Sequence, residues 1–330
     1  ALGRDESWLQ HRPGGGFRNP WVNAAAPTFG SVLKWALVHR TTRPRPVDPD
    51  ASVFRLLEPQ LTAPRAAPDR LIVTWVGHSS FLLQVGGLNV LTDPVWSARA
   101  SPLWFAGPRR WTAPGIEFAA LPPIDLVLIS HNHYDHLDGR TVRRLARRNA
   151  RAAWLVPLGL AEFVRRRGAR DVSEHDWWQE ARVGPALVAC TPAQHFSSRG
   201  IRDRGDTLWC GWSVITDAHR VFFAGDTAYH PEFGGIGERY GPFDIALLPI
   251  GGYEPRWFMR AVHMSPEEAV RAFQDLGDSH TVLVPMHWGT FKLTDEAMDE
   301  PPVRARAAWQ AAALPPERFW LLAHGESRAL

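Results

Sequence analysis

Four metal-binding side chains crowd into six residues of this chain: His131, His133, Asp135 and His136. They follow Asp125-Leu126-Val127-Leu128-Ile129, a short apolar run bounded by turn residues, which reads as a buried strand. A fold must therefore carry these donors out of its core at a strand end. His131 and His133 lie two residues apart, so in extended backbone their imidazoles leave on one side. Asp135 and His136 sit where the chain turns into the arginine-rich stretch from Gly139, a predicted helix. Two adjacent groups of N and O donors suit a pair of divalent cations. Imidazole with carboxylate favours zinc, with iron and manganese as alternatives.

Three further segments repeat the pattern of a hydrophobic strand ending in one potential ligand. Leu187–Thr191 leads to His195, Arg220–Ala224 leads to Asp226, and Thr281–Pro285 leads to His287. A Gly or Pro beside each strand end sharpens the turn. Together they predict loops that converge on one edge of a β-sandwich.

The chain has 330 residues and 45% hydrophobic content, enough for a substantial core in one large domain or two smaller ones. The net charge of +3 is carried almost wholly by arginine, since Lys34 and Lys292 are the only lysines. Arginine forks suit phosphorylated or acidic partners, although a solvated surface explains most of them equally well. Cys190 and Cys210 form no disulfide framework and no CxxC pair. No apolar run of spanning length and no signal peptide are present, and a start at Ala leaves room for a removed leader. The expected location is the cytoplasm, or the face of a membrane as a peripheral protein, of bacterial type. Sixteen tryptophans, several beside arginine or proline, suit a surface that meets lipid headgroups, and equally suit ordinary packing.

Residues 1–70 are rich in Gly, Pro and Arg and read as an extended arm packing on the main domain, with a short helix near Ser31–Val38. Strands are predicted at Leu71–Val76, Phe81–Val85 and Leu88–Thr92, with Gly86-Gly87 as a hairpin turn. Ser97–Ile124 reads as a long functional loop. Helices are predicted near Thr141–Asn149 and Gly159–Arg167, from Ser265 as N-cap to Gly277, and near Val303–Ala313. Further strands are predicted at Trp154–Pro157, Ala186–Thr191, Trp209–Thr216, Val221–Ala224, Asp244–Ile250 and Thr281–Pro285, with Phe319–Leu322 closing the fold. Two blocks of strands, each followed by helices, fit an α/β/β/α sandwich over residues 71–330.

H-N-H-Y-D-H at 131–136, with G-D-T at 225–227 and M-H-W-G at 286–289, resembles the metallo-β-lactamase fold superfamily. More narrowly, A-R-A-S-P at 98–102, G-P-R-R at 107–110 and G-Y-E-P-R-W-F-M at 252–259 resemble the N-acylphosphatidylethanolamine-hydrolysing phospholipase D family. The resemblance runs in order from about Phe17 to the last residue. It implies two zinc ions, one held by His131, His133 and His195, the other by Asp135, His136 and His287, with Asp226 between them. It implies that a water shared by the metals attacks phosphorus, with Asp226 and Asp135 among the catalytic groups, and that phosphatidic acid and an N-acylethanolamine are released. His263 matches a family histidine near the substrate and becomes the candidate for orienting phosphate or protonating the leaving oxygen. Tyr134, Tyr253 and Trp257 are the further expected substrate contacts. Trp104, Phe105, Trp257, Phe258 and Met259 are expected walls of an acyl groove, and His78 a support for the ligands. Asp93 and Asp138 either share that role or cap turns. The implied partners are a phospholipid and a membrane surface met peripherally, with a homodimer as a further reading, and the N-terminal arm matches the family more weakly than the rest.

Other hydrolases on the same scaffold, such as a lactonase or a soluble phosphodiesterase, would use the same donors. A tRNA-processing nuclease would need a basic, glycine-rich arm protruding to hold the nucleic acid, whereas the arm here is read as packing on the main domain, and no nucleic-acid partner is expected. A non-catalytic binding module is disfavoured by the complete ligand set.

Overall fold

The computed structural model describes residues 10–21, 30, 34, 35, 37, 46–200, 202–277 and 280–330. Its first sheet is built from β1 (Leu71–Gly77), β2 (Ser80–Val85), β3 (Leu88–Thr92), β4 (Leu126–Leu128), β5 (Ala153–Pro157), β6 (Asp171–His175) and β13 (Ser327–Ala329). The order is β13-β1-β2-β3-β4-β5-β6, with parallel pairing from β3 to β6. Gly86 and Gly87 take φ of 60° and 74°, the left-handed values that a tight turn between β2 and β3 requires.

The second sheet is built from β7 (Glu180–Val183), β8 (Ala186–Thr191), β9 (Gly211–Ile215), β10 (Arg220–Phe223), β11 (Ile245–Pro249) and β12 (Val282–Met286). Its order is β12-β11-β10-β9-β8-β7, and β10, β11 and β12 run parallel. The helices among the described residues are α1 (Gly139–Arg148), α2 (Ala161–Arg165), α3 (Glu232–Tyr240), α4 (Arg256–Met259), α5 (Pro266–Asp275) and α6 (Glu300–Ala311).

Strand alternation assigns the layers. Leu126 and Leu128 of β4 join the core shared with Val188, Trp212 and Val221 of the second sheet. Val127, between them, faces the opposite way, into a cluster with Val142, Leu145 and Val164 of α1 and α2. Phe222 and Leu283 of the second sheet share their cluster with Phe233, Val270 and Trp309 of α3, α5 and α6. The indole N–H of Trp212 crosses between the sheets to the carbonyl of Ile129 at 2.8 Å. The result is the α/β/β/α sandwich that the sequence implied. Ser265 caps α5 within a full capping box with Glu268.

Several expectations are corrected. Phe319–Leu322 forms no strand: Phe319 makes a single bridge to Leu283, and the closing strand is β13. The edge strands β6 and β7 gave no hydrophobic pattern because Asp, Glu and Arg decorate them, as suits strands at an open edge. Three glycines in Glu232–Tyr240 masked α3, whose apolar face is nevertheless buried. The helix expected near Ser31–Val38 lies largely outside the described residues. Within the arm, Phe17 enters the main core, Trp21 stacks on Trp177 and His230, and Asn19 donates to the carbonyl of His195 at 2.9 Å.

Candidate metal centre

Strand ends of both sheets deliver the donors. His78 follows β1, Asp93 follows β3, and His131 to His136 follow β4. From the other sheet come His195 after β8, Asp226 after β10 and His287 after β12. Gly225 has φ of 61°, and a Cβ there would lie 2.6 Å from Cβ of Ser130 and 2.7 Å from the carbonyl of Cys210. Only glycine lets the chain turn that tightly and aim Asp226 inward.

Asp226 is the hub. Its Oδ2 lies 3.1 Å from Nε2 of His136 and 3.0 Å from Nε2 of His287. The same atom is 4.0 Å from Nε2 of His131 and 3.9 Å from Nε2 of His195. His131 and His195 each approach Nδ1 of His133, at 2.8 and 3.2 Å. His131, His133 and His195 thus form one cluster, while His78, Asp135, His136 and His287 form another.

Hydrogen bonds behind the cluster fix the rings. Nδ1 of His136 donates to Oδ2 of Asp93 at 2.7 Å. Ser130 donates its hydroxyl to the same carboxylate at 2.5 Å and sits 2.9 Å from Nδ1 of His131. His195 gives Nδ1 to the carbonyl of Val262, and Nε2 of His78 reaches Asp135 at 2.9 Å. Asp138 instead caps α1, accepting from the backbone N–H of Arg140 and the hydroxyl of Thr141.

The donors fit divalent cations. Nε2 of His136, Nε2 of His287 and Oδ1 of Asp226 are buried and lack a hydrogen-bond partner among the described residues. The two imidazole nitrogens lie 3.1 and 3.0 Å from Oδ2 of Asp226 without forming a hydrogen bond to it. Burial drives His133 down to about 3 and His195 to about 4, assisted by neighbouring imidazoles. Both therefore stay neutral, the form that binds metal. Burial opposes ionisation of Asp226, but the charges of His136 and His287 outweigh it and hold the carboxyl well below its usual range. Reciprocally, burial opposes charge on His287, yet Asp226 lifts it to about 9. Cations would replace those protons.

Above the cluster lies a cavity of about 410 Å³. His133, Asp135, Asp226, His263 and His287 form its floor, and Phe196, Phe258, Met259, Val262 and Leu293 its apolar walls. His263 is buried, with Nε2 4.0 Å from Oδ2 of Asp226. Gly252, at φ of 83°, passes so close that a Cβ would lie 3.0 Å from Nδ1 of His263 and 3.1 Å from Cε1 of His287.

Three expected substrate contacts lie elsewhere. Tyr134 donates its hydroxyl to the carbonyl of Arg199, under the Arg199 guanidinium, and lines a separate cavity. Tyr253 is fully buried and donates to Glu300 at 2.7 Å. Trp257 is 48% exposed, although its neighbours Phe258 and Met259 reach the main cavity. Trp104 and Phe105 are exposed rather than walls of that cavity. Sequence reading missed Ser130, Phe196, Val262, Leu293 and Glu296. Ser130 adjoins the ligand run, and Phe196 follows a ligand, so proximity could have flagged both. Glu296 carried no signal, yet its carboxylate accepts from the N–H groups of Gly252 and Glu254 and the hydroxyl of Thr294.

No helix among the described residues is long and apolar enough to cross a membrane. Residues 88–288 match the family described as beta-lactamase superfamily domain. An uncharacterized protein of Mycobacterium tuberculosis is 46% identical over 280 residues, covering 84% of this chain and 73% of that one. The N-acyl-phosphatidylethanolamine-hydrolyzing phospholipase D 1 of Caenorhabditis elegans is 40% identical over 242 residues, covering 70% of this chain and 67% of that one. Among solved structures, Igni18, a metallo hydrolase from Ignicoccus hospitalis, superposes with a TM-score of 0.58 at 25% identity. That match covers 79% of this chain and 98% of the other.

Proposed function

The chain belongs to the β-lactamase superfamily as a metal-dependent hydrolase, and from that premise we propose that it cleaves the phosphodiester of N-acylated phosphatidylethanolamine. Water adds to phosphorus, the P–O bond to the N-acylethanolamine breaks, and phosphatidic acid is the second product. The observation that carries this reading is the apolar cavity standing directly over the histidine–aspartate cluster. The 40% identity to a relative named for the same reaction supports it.

We assign His131, His133 and His195 to one cation and Asp135, His136 and His287 to a second, with Asp226 shared, because its carboxylate lies between the two clusters. The donor chemistry suits zinc. Bound divalent cations would supply an activated water and neutralise charge growing on the phosphoryl oxygens.

The chain's own residues do the rest. Phe196, Phe258, Met259, Val262 and Leu293 exclude water and receive an acyl chain. His263 lines the cavity from the link between α4 and α5, where it can hold a phosphoryl oxygen or hand a proton to the departing alkoxide. Glu296 keeps the 252–254 turn against His263 and His287.

The test is release of phosphatidic acid from N-acylated phosphatidylethanolamine by metal-loaded protein, before and after chelation. A small chromogenic diester and an acyl lactone run alongside. Turnover of the lactone with no phosphatidic acid from the lipid would overturn the assignment in favour of a lactonase.

A further inference from the structure

A second cavity, of about 350 Å³, lies beside the metal centre and shares none of its donors. Five arginines line it: Arg99, Arg140, Arg143, Arg167 and Arg199. Asp138 is the one carboxylate on its wall, and its oxygens are already taken by the N–H groups of Ser97 and Arg140 and the hydroxyl of Thr141. Among the described residues no carboxylate pairs with any of the five guanidinium groups. Arg99 donates to the carbonyl of Gly107, Arg167 to that of Phe163, and Arg199 to those of Asn132 and Leu137. Arg140 and Arg143 project from the first turns of α1 with their side chains exposed. Burial and the nearby Arg143 push Arg167 below its ordinary value, and burial with Arg167 brings Arg199 to about 10. A cluster that repels itself in this way is relieved by an anion, and guanidinium forks match the oxygens of phosphate.

The rim indicates the source of that anion. Leu103 and Trp104 line the cavity, and the run Leu103-Trp104-Phe105 stands 47%, 75% and 61% exposed. Apolar side chains raised beside a basic pocket suit the boundary between headgroups and acyl chains. Residues shortly after His195 line both cavities. Ser198, Gly200 and Arg204 face the metal side, and Arg199 faces the basic side.

We propose that this arginine cavity is a non-catalytic site for the phosphate of an anionic lipid headgroup, which seats the mouth of the metal cavity against the bilayer. The site stands apart from the hydrolytic reading, because binding can be measured without turnover.

The test is cosedimentation of metal-loaded protein with vesicles of phosphatidylcholine containing phosphatidylglycerol, and with vesicles of phosphatidylcholine alone. The variant is R140A/R143A. The charge-matched control is R147A/R151A, which removes two arginines outside the cavity. Thermal melts verify that both remain folded. Each arginine near an anionic surface contributes about a fivefold factor in partitioning, so R140A/R143A should bind anionic vesicles at least tenfold, in round figures about twenty-fivefold, more weakly. The control should change far less. Equal losses in the two variants would mean diffuse attraction and overturn the site. Calorimetric titration with inorganic phosphate is the second arm. Phosphate uptake that needs Arg140 and Arg143, with no vesicle binding by the wild type, would overturn the lipid assignment in favour of a soluble phosphate.

Discussion

Oδ2 of Asp93 accepts Nδ1 of His136 at 2.7 Å and, through the hydroxyl of Ser130, is also coupled to Nδ1 of His131. One buried carboxylate therefore orients a ring in each of the two donor clusters. Partners of this kind fix the tautomer that presents Nε2 to a metal. Asp93→Asn keeps the shape but can turn an N–H toward a ring that needs an acceptor. Metal affinity should fall about 10- to 100-fold, read by chelator competition. Ser130→Ala should cost less, since only His131 loses its support. Equal affinity in Asp93→Asn and wild type would contradict the coupling.

His263 touches the cavity but belongs to neither of the two assigned ligand sets. His263→Ala should retain its metal while kcat/KM on a phosphodiester falls by about 10² to 10⁴. Elemental analysis beside steady-state kinetics separates this from loss of a ligand, because His287→Ala should lose metal as well.

Gly225 permits the turn that aims Asp226. A side chain there meets both Ser130 and the Cys210 carbonyl, in a backbone region costly for any residue but glycine. Gly225→Ala should destabilise the protein by at least about 1–3 kcal/mol and lower its metal content together with its melting temperature. A variant that melts normally with full metal would show that the turn relaxes freely.

His230 lies outside the metal cluster, packed between Trp21 and Phe233, and burial alone lowers it from 6.5 to about 3. The unfolded chain binds this proton at pH values where the folded chain does not. Stability should therefore fall as pH drops from about 6.5 towards 3, by about 1.4 kcal/mol per pH unit for one proton. His230→Phe should flatten that slope by one proton in denaturant titrations, and an unchanged slope would refute the assignment.

Chelation should lower the melting temperature, because ligands that bind only the folded state stabilise it by mass action. Added zinc should restore it, whereas the basic-cavity variant R140A/R143A should respond to chelation as the wild type does.

The donors were legible because each follows a hydrophobic strand, and strand ends are where a buried sheet can release polar side chains. The sandwich was legible from the same strands. The cavity walls were not, because Phe196, Val262 and Leu293 come from three separate segments whose meeting depends on packing rather than on any local pattern. Tyr134 and Tyr253 illustrate the converse. Both lie in segments that carry the family resemblance, yet the first braces Arg199 and the second is consumed by Glu300. The edge strands β6 and β7 were hidden by the charges that keep such edges from pairing with other chains.

The division of donors between two sheets has a consequence for how the molecule comes into being. The cluster of His78, Asp135, His136 and His287 is not whole until β12 has docked and brought His287 beside Asp226. A nascent chain emerging from the ribosome would thus pass most of its synthesis without chemical competence. Reactivity would switch on only as the late strand locks home, so that an unfinished or half-opened copy stays inert.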